Sequence, residues 1–280
     1  MLLITGANGQ LGCCLRDILS TEQALFTDYK ELDITDLNAV LDCGRQYPLT
    51  GIINCAAYTN VDKAEEEPET ARRINALGPE NLAKMAAEQH IPLIHISTDY
   101  IFNGSGNTPL KESDPTRPLG EYGKSKLEGE EAVLKYAKTV AIIRSAWMYS
   151  PYGKNFVKTM LRLADEKPQL DVVCDQYGTP TYAPHLATAA LAVLHALKPG
   201  QKEIYHFSNE GACSWYDLAY YSLHLARKNC RVHPILTKDY PTKAVRPAFS
   251  VLDKSKIKKM LSITIPHWTQ GVEECLKKLF

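Results

Sequence analysis

The chain opens with a short apolar segment that leads directly into a loop with three regularly spaced glycines. Residues 1–5 can form a buried strand, and glycines follow at positions 6, 9 and 12. Leu15, Ile18 and Leu19 then recur at helical spacing. A strand, a glycine turn and a helix form the context in which such a loop binds a dinucleotide, because glycine lets a pyrophosphate approach the backbone. The spacing is G-x-x-G-x-x-G, so a turn that simply needs glycine is the alternative.

The second pattern is a tyrosine and a lysine four residues apart, Tyr122 and Lys126. On a helix they share one face, although a surface helix with a solvated lysine shows the same spacing. A neighbouring ammonium favours the phenolate and so lowers the tyrosine pKa from its usual ~10. Thr98 follows an apolar segment at 91–96. Because open α/β sheets place their sites at the carboxyl ends of strands, we expect these three residues and the glycine loop to share one crevice.

Strand-like and helical segments alternate along the first half of the chain. We predict strands at 1–5, 24–27, 51–54, 93–97 and 140–144. Between them, helices are predicted near 11–20, 36–46, 68–90 and 122–138. This alternation indicates βαβ units and therefore an α/β fold with a Rossmann-like, doubly wound parallel sheet.

Composition argues against several classes of function. Lysine plus arginine and aspartate plus glutamate number 32 each, so the chain carries no charge footprint for nucleic acid or an anionic membrane. No apolar segment approaches the ~18 residues of a membrane span, and the N-terminal one is too short for a signal peptide. We therefore expect a cytoplasmic protein. The eight cysteines form no C-x-x-C pair, and no His/Cys cluster predicts a metal site.

Several longer segments support a resemblance to a known family. They are residues 54–65, 95–102, 121–130, 144–149, 155–160, 175–181, 245–247 and 265–268. On these segments the chain resembles the extended short-chain dehydrogenases/reductases and, among them, the dTDP-4-dehydrorhamnose reductases. The glycine loop and the Tyr/Lys pair mark only the superfamily. The Asn-Phe pair at 155–156 and the Asp-Gln-x-Gly-x-Pro-Thr segment at 175–181 are more specific.

The resemblance implies a reaction and two domains. NADPH or NADH would reduce the C4 keto group of dTDP-4-dehydro-L-rhamnose to give dTDP-L-rhamnose. Tyr122 would protonate the substrate oxygen, Thr98 would bind that oxygen, and Lys126 would lower the Tyr122 pKa and bind the nicotinamide ribose. An NAD(P)-binding domain would span residues 1–148. Residues 149–280 would form a smaller, mainly substrate-binding domain, with some segments returning to the main sheet.

The resemblance also assigns binding residues. The cofactor would contact Tyr122, Lys126 and eleven further residues: Gly6, Asn8, Gly9, Gln10, Leu11, Asp28, Asp33, Ile34, Ala56, Ala57 and Thr59. Asp28 ends the second predicted strand, where an acidic residue binds the adenosine ribose and favours NAD, whereas Lys30 nearby could meet a 2′-phosphate. The substrate would contact Thr98, Tyr100, Asn103, Trp147, Asn155 and Arg246.

Some relatives are magnesium-linked dimers that use a carboxylate shortly after the glycine loop. Here that neighbourhood contains Cys13 and Cys14, and a thiol is a poor ligand for magnesium. We therefore expect no metal site and a monomer or weak homodimer.

Two alternatives stay open at this stage. The first is another nucleotide-sugar epimerase or dehydratase, which would recycle its nicotinamide rather than consume it. The second is a non-catalytic, dinucleotide-binding regulatory subunit like that of methionine adenosyltransferase. Net consumption of added NADPH distinguishes the reductase from both.

Overall fold

The computed structural model describes all 280 residues and contains twelve β-strands. In chain order they are β1 Leu2–Thr5, β2 Ala24–Thr27, β3 Gly51–Asn54, β4 Leu93–Thr98, β5 Val140–Ser145, β6 Met148–Tyr149, β7 Gln169–Val173, β8 Tyr177–Gly178, β9 Thr181–Tyr182, β10 Lys202–His206, β11 Cys213–Ser214 and β12 Arg231–Ile235.

Eleven α-helices connect and cover these strands. They are α1 Gln10–Arg16, α2 Leu37–Gln46, α3 Val61–Ala64, α4 Pro68–Arg72, α5 Gly78–Gln89, α6 Glu121–Tyr136, α7 Phe156–Glu166, α8 Ala183–Ala196, α9 Trp215–Leu225, α10 Ser255–Leu261 and α11 Trp268–Leu279. A single π-helical turn, Arg73–Leu77, joins α4 to α5.

Six strands form the main sheet in the order β10-β5-β4-β3-β1-β2, and every neighbouring pair is parallel. β2 lies on one side of β1, and the chain then crosses over so that β3 lies on the other side of β1. This reversal makes the carboxyl ends of β1 and β3 a topological switch point, where open α/β sheets bind ligands. The predicted Rossmann-like parallel sheet is confirmed.

The sheet is buried on both faces by alternate residues of its strands. Ile4 and Ile53 point into one apolar core with α1 and α8. Their neighbours Leu3 and Ile52 point into a second core with α2, α5 and α6. The resulting three layers hold the strand ends rigidly, so side chains that follow those ends are fixed in position.

Residues of the second half form a third core and also complete the main sheet. α7, α9 and α11 share one apolar cluster that includes Val157, Leu218 and Val272. β10 nevertheless pairs with β5 in the main sheet, and α8 packs against α1. The division into domains at residue 148 stays a prediction. None of the helices combines the length and the apolar character needed to cross a membrane.

Candidate active site

The glycine loop brings the backbone after β1 against the backbone after β3. Gly6 has a left-handed φ of +63°, and a Cβ on it would lie 2.6 Å from the backbone nitrogen of Ala56. A Cβ on Gly12 would lie 2.5 Å from Cα of Ala7. Only glycine fits both positions, because any side chain would collide with backbone. The loop therefore lies at the switch point as a compact backbone surface.

A cleft of about 920 Å³ opens from this loop along the carboxyl ends of β1, β3, β4 and β5. Its volume is at the upper end of the ~300–1,000 Å³ of small-molecule sites. All eleven residues assigned to cofactor binding by resemblance line it, together with Thr98, Tyr122 and Lys126. One end of the cleft is bare backbone, and the other carries a tyrosine and a lysine. This arrangement suits an elongated dinucleotide.

Asp28 anchors the loop as well as lining the cleft. One carboxylate oxygen accepts from the backbone N–H of Asn8 at 2.9 Å, and the other accepts from that of Tyr29 at 2.8 Å. A bond to an adenosine ribose would have to share these oxygens with the backbone. Asp28 thus holds the Asn8 backbone in place in this structure.

Asp33 and Ile34 line the cleft beyond Asp28. The Asp33 carboxylate accepts from both the backbone N–H and the hydroxyl of Thr35, at 2.9 and 2.8 Å. Ile34 lies against the backbone of Gly78. A Cβ on Gly78 would be 2.5 Å from Cδ1 of Ile34. These contacts fix this wall of the cleft before any ligand binds.

Tyr122 and Thr98 meet at the centre of the cleft. Thr98 is the last residue of β4, and Tyr122 lies in the first turn of α6. Desolvation raises the pKa of Tyr122 to about 12, while the Thr98 hydroxyl lowers it in part and the Asp99 carboxylate adds to the rise. Tyr122 is therefore protonated at neutral pH, which is the form that can donate a proton.

Lys126 lies one helical turn from Tyr122 and is only 2% exposed. Its ammonium donates to the backbone oxygen of Ile96 at 2.7 Å, and burial lowers its pKa to about 8. The groups that set the Tyr122 pKa here are Thr98, Asp99 and the surrounding protein. The expected effect of Lys126 on that pKa stays a prediction.

Asp99 is a buried acid that the sequence reading did not assign to the site. It lines the cleft, is 1% exposed and accepts from the Thr98 hydroxyl at 3.0 Å. Burial raises its pKa to about 6. Its position directly after a strand-end threonine was the available signal, and only the fold shows that the carboxyl turns inward.

Trp147, which lines the cleft, is held in an uncommon backbone conformation. Its φ is +48°, and its indole stacks on Trp215 with ring centroids 3.5 Å apart and planes 10° from parallel. Phe156 also packs against Trp215, with ring centroids 4.7 Å apart. Trp215 also lines the cleft and was missed from sequence, because a tryptophan that starts an amphipathic helix is typical of core packing.

Asn155 lines the cleft, and both N–H groups of its amide are already engaged. Its oxygen caps α7 by accepting from the Lys158 N–H at 3.0 Å. Its nitrogen donates to the Gln10 side chain at 3.0 Å and to the Ser150 backbone oxygen at 2.8 Å. To donate to a substrate, the nitrogen would have to exchange one of these bonds, whereas the oxygen has a second lone pair that can accept one.

Two residues assigned to substrate by resemblance do not line the cleft. Asn103 closes a local turn by accepting from the backbone and the hydroxyl of Ser105. Arg246 forms an ion pair with Asp62 at 2.6 Å, which ties the segment before residue 250 to α3. Tyr100, by contrast, lines the cleft and packs edge-on against Tyr122 at 5.6 Å.

The structure contains no group of three or more His, Cys, Asp or Glu side chains arranged to hold a metal ion. All eight cysteines are free thiols. Burial raises the pKa of Cys14 to about 12, and the pKa of Cys13 is also raised.

Comparison with known proteins places this cleft in a family. A family model described as RmlD substrate binding domain matches residues 1–280. A dTDP-4-dehydrorhamnose reductase of Aggregatibacter actinomycetemcomitans is 40% identical over 284 residues, which cover 97% of each protein. This chain belongs to the dTDP-4-dehydrorhamnose reductase family. The resemblance inferred from the sequence segments is confirmed.

Solved structures of the dTDP-4-dehydrorhamnose reductase family share the whole fold. The crystal structure of the reductase from Clostridium acetobutylicum matches with a TM-score of 0.95 at 38% identity, covering 99% of both chains. That from Bacillus anthracis, solved in complex with NADP, matches with a TM-score of 0.95 at 36% identity, covering 99% of this chain and 98% of that one.

Proposed function

We propose that this protein reduces the C4 keto group of dTDP-4-dehydro-L-rhamnose to give dTDP-L-rhamnose. One observation carries the proposal: the Tyr122 phenol lies beside the Thr98 hydroxyl in the same cleft as the glycine loop. The family membership supplies the substrate, since the relatives named above are dTDP-4-dehydrorhamnose reductases.

The cofactor is NADPH or NADH, and when bound it supplies the hydride. Gly6, Asn8, Gly9, Gln10 and Leu11 hold the pyrophosphate on the backbone surface of the loop. Asp28, Asp33 and Ile34 line the adenosine end. Ala56, Ala57 and Thr59 line the middle, and Tyr122 and Lys126 lie at the nicotinamide ribose.

The protein's own chemistry is proton transfer and charge stabilisation. The Thr98 hydroxyl and the Tyr122 phenol together orient the keto oxygen. Tyr122 donates its proton to that oxygen as negative charge develops there. The Thr98 hydroxyl donates to the Asp99 carboxylate in this structure, so it supplies its proton to the keto oxygen by turning from that carboxylate. Stabilisation of developing charge by such donors is usually the largest contribution to catalysis of this kind.

At the substrate end, Tyr100, Trp147 and Asn155 form the sugar-binding wall. Asn103 and Arg246 act in substrate binding only if the segments that carry them move toward the cleft. Arg246 suits a diphosphate because its planar guanidinium can bind two oxygens at once. We further propose a cytoplasmic monomer or weak homodimer that binds neither nucleic acid nor membrane.

The test is a coupled assay with dTDP-4-dehydro-L-rhamnose generated in situ, following NADPH and NADH absorbance. The Tyr122→Phe variant, which keeps the ring but loses the hydroxyl, is the matched control. Stoichiometric oxidation by the wild type that is lost in the variant supports the proposal. Cofactor binding without net oxidation contradicts it and favours an epimerase, a dehydratase or a regulatory subunit.

A further inference from the structure

A row of buried polar side chains lies behind the cleft, across β1, β3 and β4. The Asn54 side-chain oxygen accepts from the Thr5 hydroxyl at 2.7 Å and from the backbone N–H of Ala56 at 3.1 Å. Two donors on one oxygen fix the orientation of the Asn54 amide. Its nitrogen therefore faces Nδ1 of His95, at 3.0 Å.

This arrangement determines the tautomer of His95. The Asn54 nitrogen can only donate, so His95 Nδ1 must accept and the ring proton must be on Nε2. Burial and the nearby Lys126 ammonium lower the His95 pKa well below its usual value, which keeps the ring neutral. His95 thus presents a single, fixed N–H donor.

That donor has no protein partner. His95 is fully buried, and neither its Nε2 nor the Ser97 hydroxyl makes a hydrogen bond to another protein group. The two residues are two positions apart on β4, so their side chains point to the same face of the sheet. Lys126 reaches this region from α6, and its ammonium has three N–H groups but makes one bond, to Ile96.

His95 Nε2 and two of the Lys126 N–H groups are therefore buried donors for which the protein supplies no acceptor. We propose that His95 Nε2, the Ser97 hydroxyl and the Lys126 ammonium bind one buried water, and that this water holds the ammonium in position. A buried water takes two to four polar partners, and this site provides three. His95 and Ser97 are positioning residues, because they act on the reaction only through Lys126.

The role of Lys126 in catalysis rests on the proposed function, but the water site does not. It can therefore be tested on the cofactor-free protein by NMR of lysine labelled with ¹³C at Cε, with Lys126→Met identifying the signal. The groups that face the ammonium are Cys55, which directly follows β3, His95 from β4 and Glu130 from its own helix. None of these is altered in the Ser97→Ala variant.

His95→Asn keeps the acceptor toward Asn54 but loses the donor at Nε2, whereas His95→Gln places a donor near the Nε2 position. We expect Lys126 to titrate at lower pH in His95→Asn and in Ser97→Ala, because its ammonium loses a fixed acceptor. In His95→Gln, we expect Lys126 to titrate as it does in the wild type. Ser222→Ala is the control, since Ser222 is fully buried in α9 and bonds the Leu218 backbone oxygen.

An unchanged Lys126 titration in both His95→Asn and Ser97→Ala would overturn the proposal, as would an equal shift in Ser222→Ala. In the reductase assay, we expect kcat to fall about tenfold in His95→Asn, which is the effect of losing one hydrogen bond. In His95→Gln, we expect kcat to recover. A protein with the expected NMR shifts but no turnover would retain the water site and lose the proposed function.

Discussion

The side-chain nitrogen of Asn155 donates to the side-chain oxygen of Gln10 at 3.0 Å, across 145 positions of the chain. The same oxygen accepts from the Ser150 hydroxyl at 2.9 Å. The Gln10 nitrogen in turn lies 3.4 Å from the Met148 backbone oxygen. Gln10 thus couples the glycine loop to the segment that leads into α7.

We expect Gln10→Ala to weaken dinucleotide binding by about tenfold, because it removes bonds that fix the loop for its ligand. Fluorescence titration with NADPH measures the dissociation constant. Gln46→Ala, at an exposed position near the end of α2, is the control and should bind as the wild type does. Equal affinity in the two variants would show that the loop does not depend on this contact.

The Thr98 hydroxyl is expected to supply transition-state stabilisation. Thr98→Val should lower kcat by about 10²-fold, the usual effect of losing one donor to a developing oxyanion. Thr98→Ser keeps the hydroxyl and should retain most of the activity. The comparison is steady-state kinetics of the three proteins at saturating cofactor. A Thr98→Val enzyme with wild-type kcat would remove Thr98 from the mechanism.

Lys126 should destabilise the folded protein at neutral pH. Its pKa is about 8 in the folded state and near 10.5 in the unfolded state. Below pH 8 the buried ammonium is charged in both states, so its full cost is present, on the order of 3 kcal/mol. Between pH 8 and 10.5 the unfolded state binds more protons, so this cost is relieved as pH rises.

Lys126→Met is therefore expected to be inactive but more stable than the wild type at pH 7. Thermal denaturation at pH 7 and pH 10 measures both effects, and the difference in Tm should narrow at pH 10. Other groups that titrate in this range are common to both proteins and cancel. A variant less stable than the wild type at pH 7 would mean that the ammonium stabilises the fold.

Removing one partner of the buried Arg144–Glu130 pair should strongly destabilise the fold. Both side chains are at most 3% exposed, and the guanidinium contacts the carboxylate at 2.7 and 3.0 Å. Arg144→Met leaves the Glu130 carboxylate buried and unpaired, at a cost of about 3–5 kcal/mol. Urea denaturation measures this cost. Arg162→Met, which breaks an exposed pair with Glu166, should cost less than about 1 kcal/mol.

Substitution of Arg246 tests whether a residue that does not line the cleft contributes to substrate binding. If its guanidinium leaves Asp62 to bind the diphosphate, Arg246→Ala should raise KM for the dTDP-sugar about tenfold, since each bond to a charged group contributes ~1.5–3 kcal/mol. The dissociation constant for NADPH should not change. Lys243→Ala, which removes a neighbouring cation paired with Glu66, is the control. An unchanged KM would leave Arg246 with a purely structural role.

The main sheet and the position of its site could be predicted because they depend on local patterns. Segments such as 51–54 and 93–97 are buried on both faces of the sheet, so most of their residues are apolar. The exceptions, Asn54, His95 and Ser97, are the buried polar side chains behind the cleft. The glycine loop is equally local, since strand, turn and helix are consecutive. These features place Gly6, Thr98 and Tyr122 in one crevice without knowledge of the remaining chain.

The contacts of individual polar side chains could not be predicted, because they depend on residues far away in the sequence. Asp28 looked like a ribose ligand, yet both of its oxygens are bound to backbone N–H groups. Arg246 looked like a phosphate ligand, yet Asp62 lies 184 positions away and pairs with it. Trp215 joins the cleft only because α9 packs beside Trp147.

The pairing of β10 with β5 has a consequence for how the chain is made. β5 ends at Ser145, and its outer edge finds no partner until residue 206 has been synthesised. A ribosome-bound fragment that ends near residue 148 therefore carries an open strand edge, which is a template for intermolecular pairing. The halves cannot be expressed separately without exposing this edge, so truncation at the apparent boundary should give aggregation rather than an isolated cofactor-binding unit.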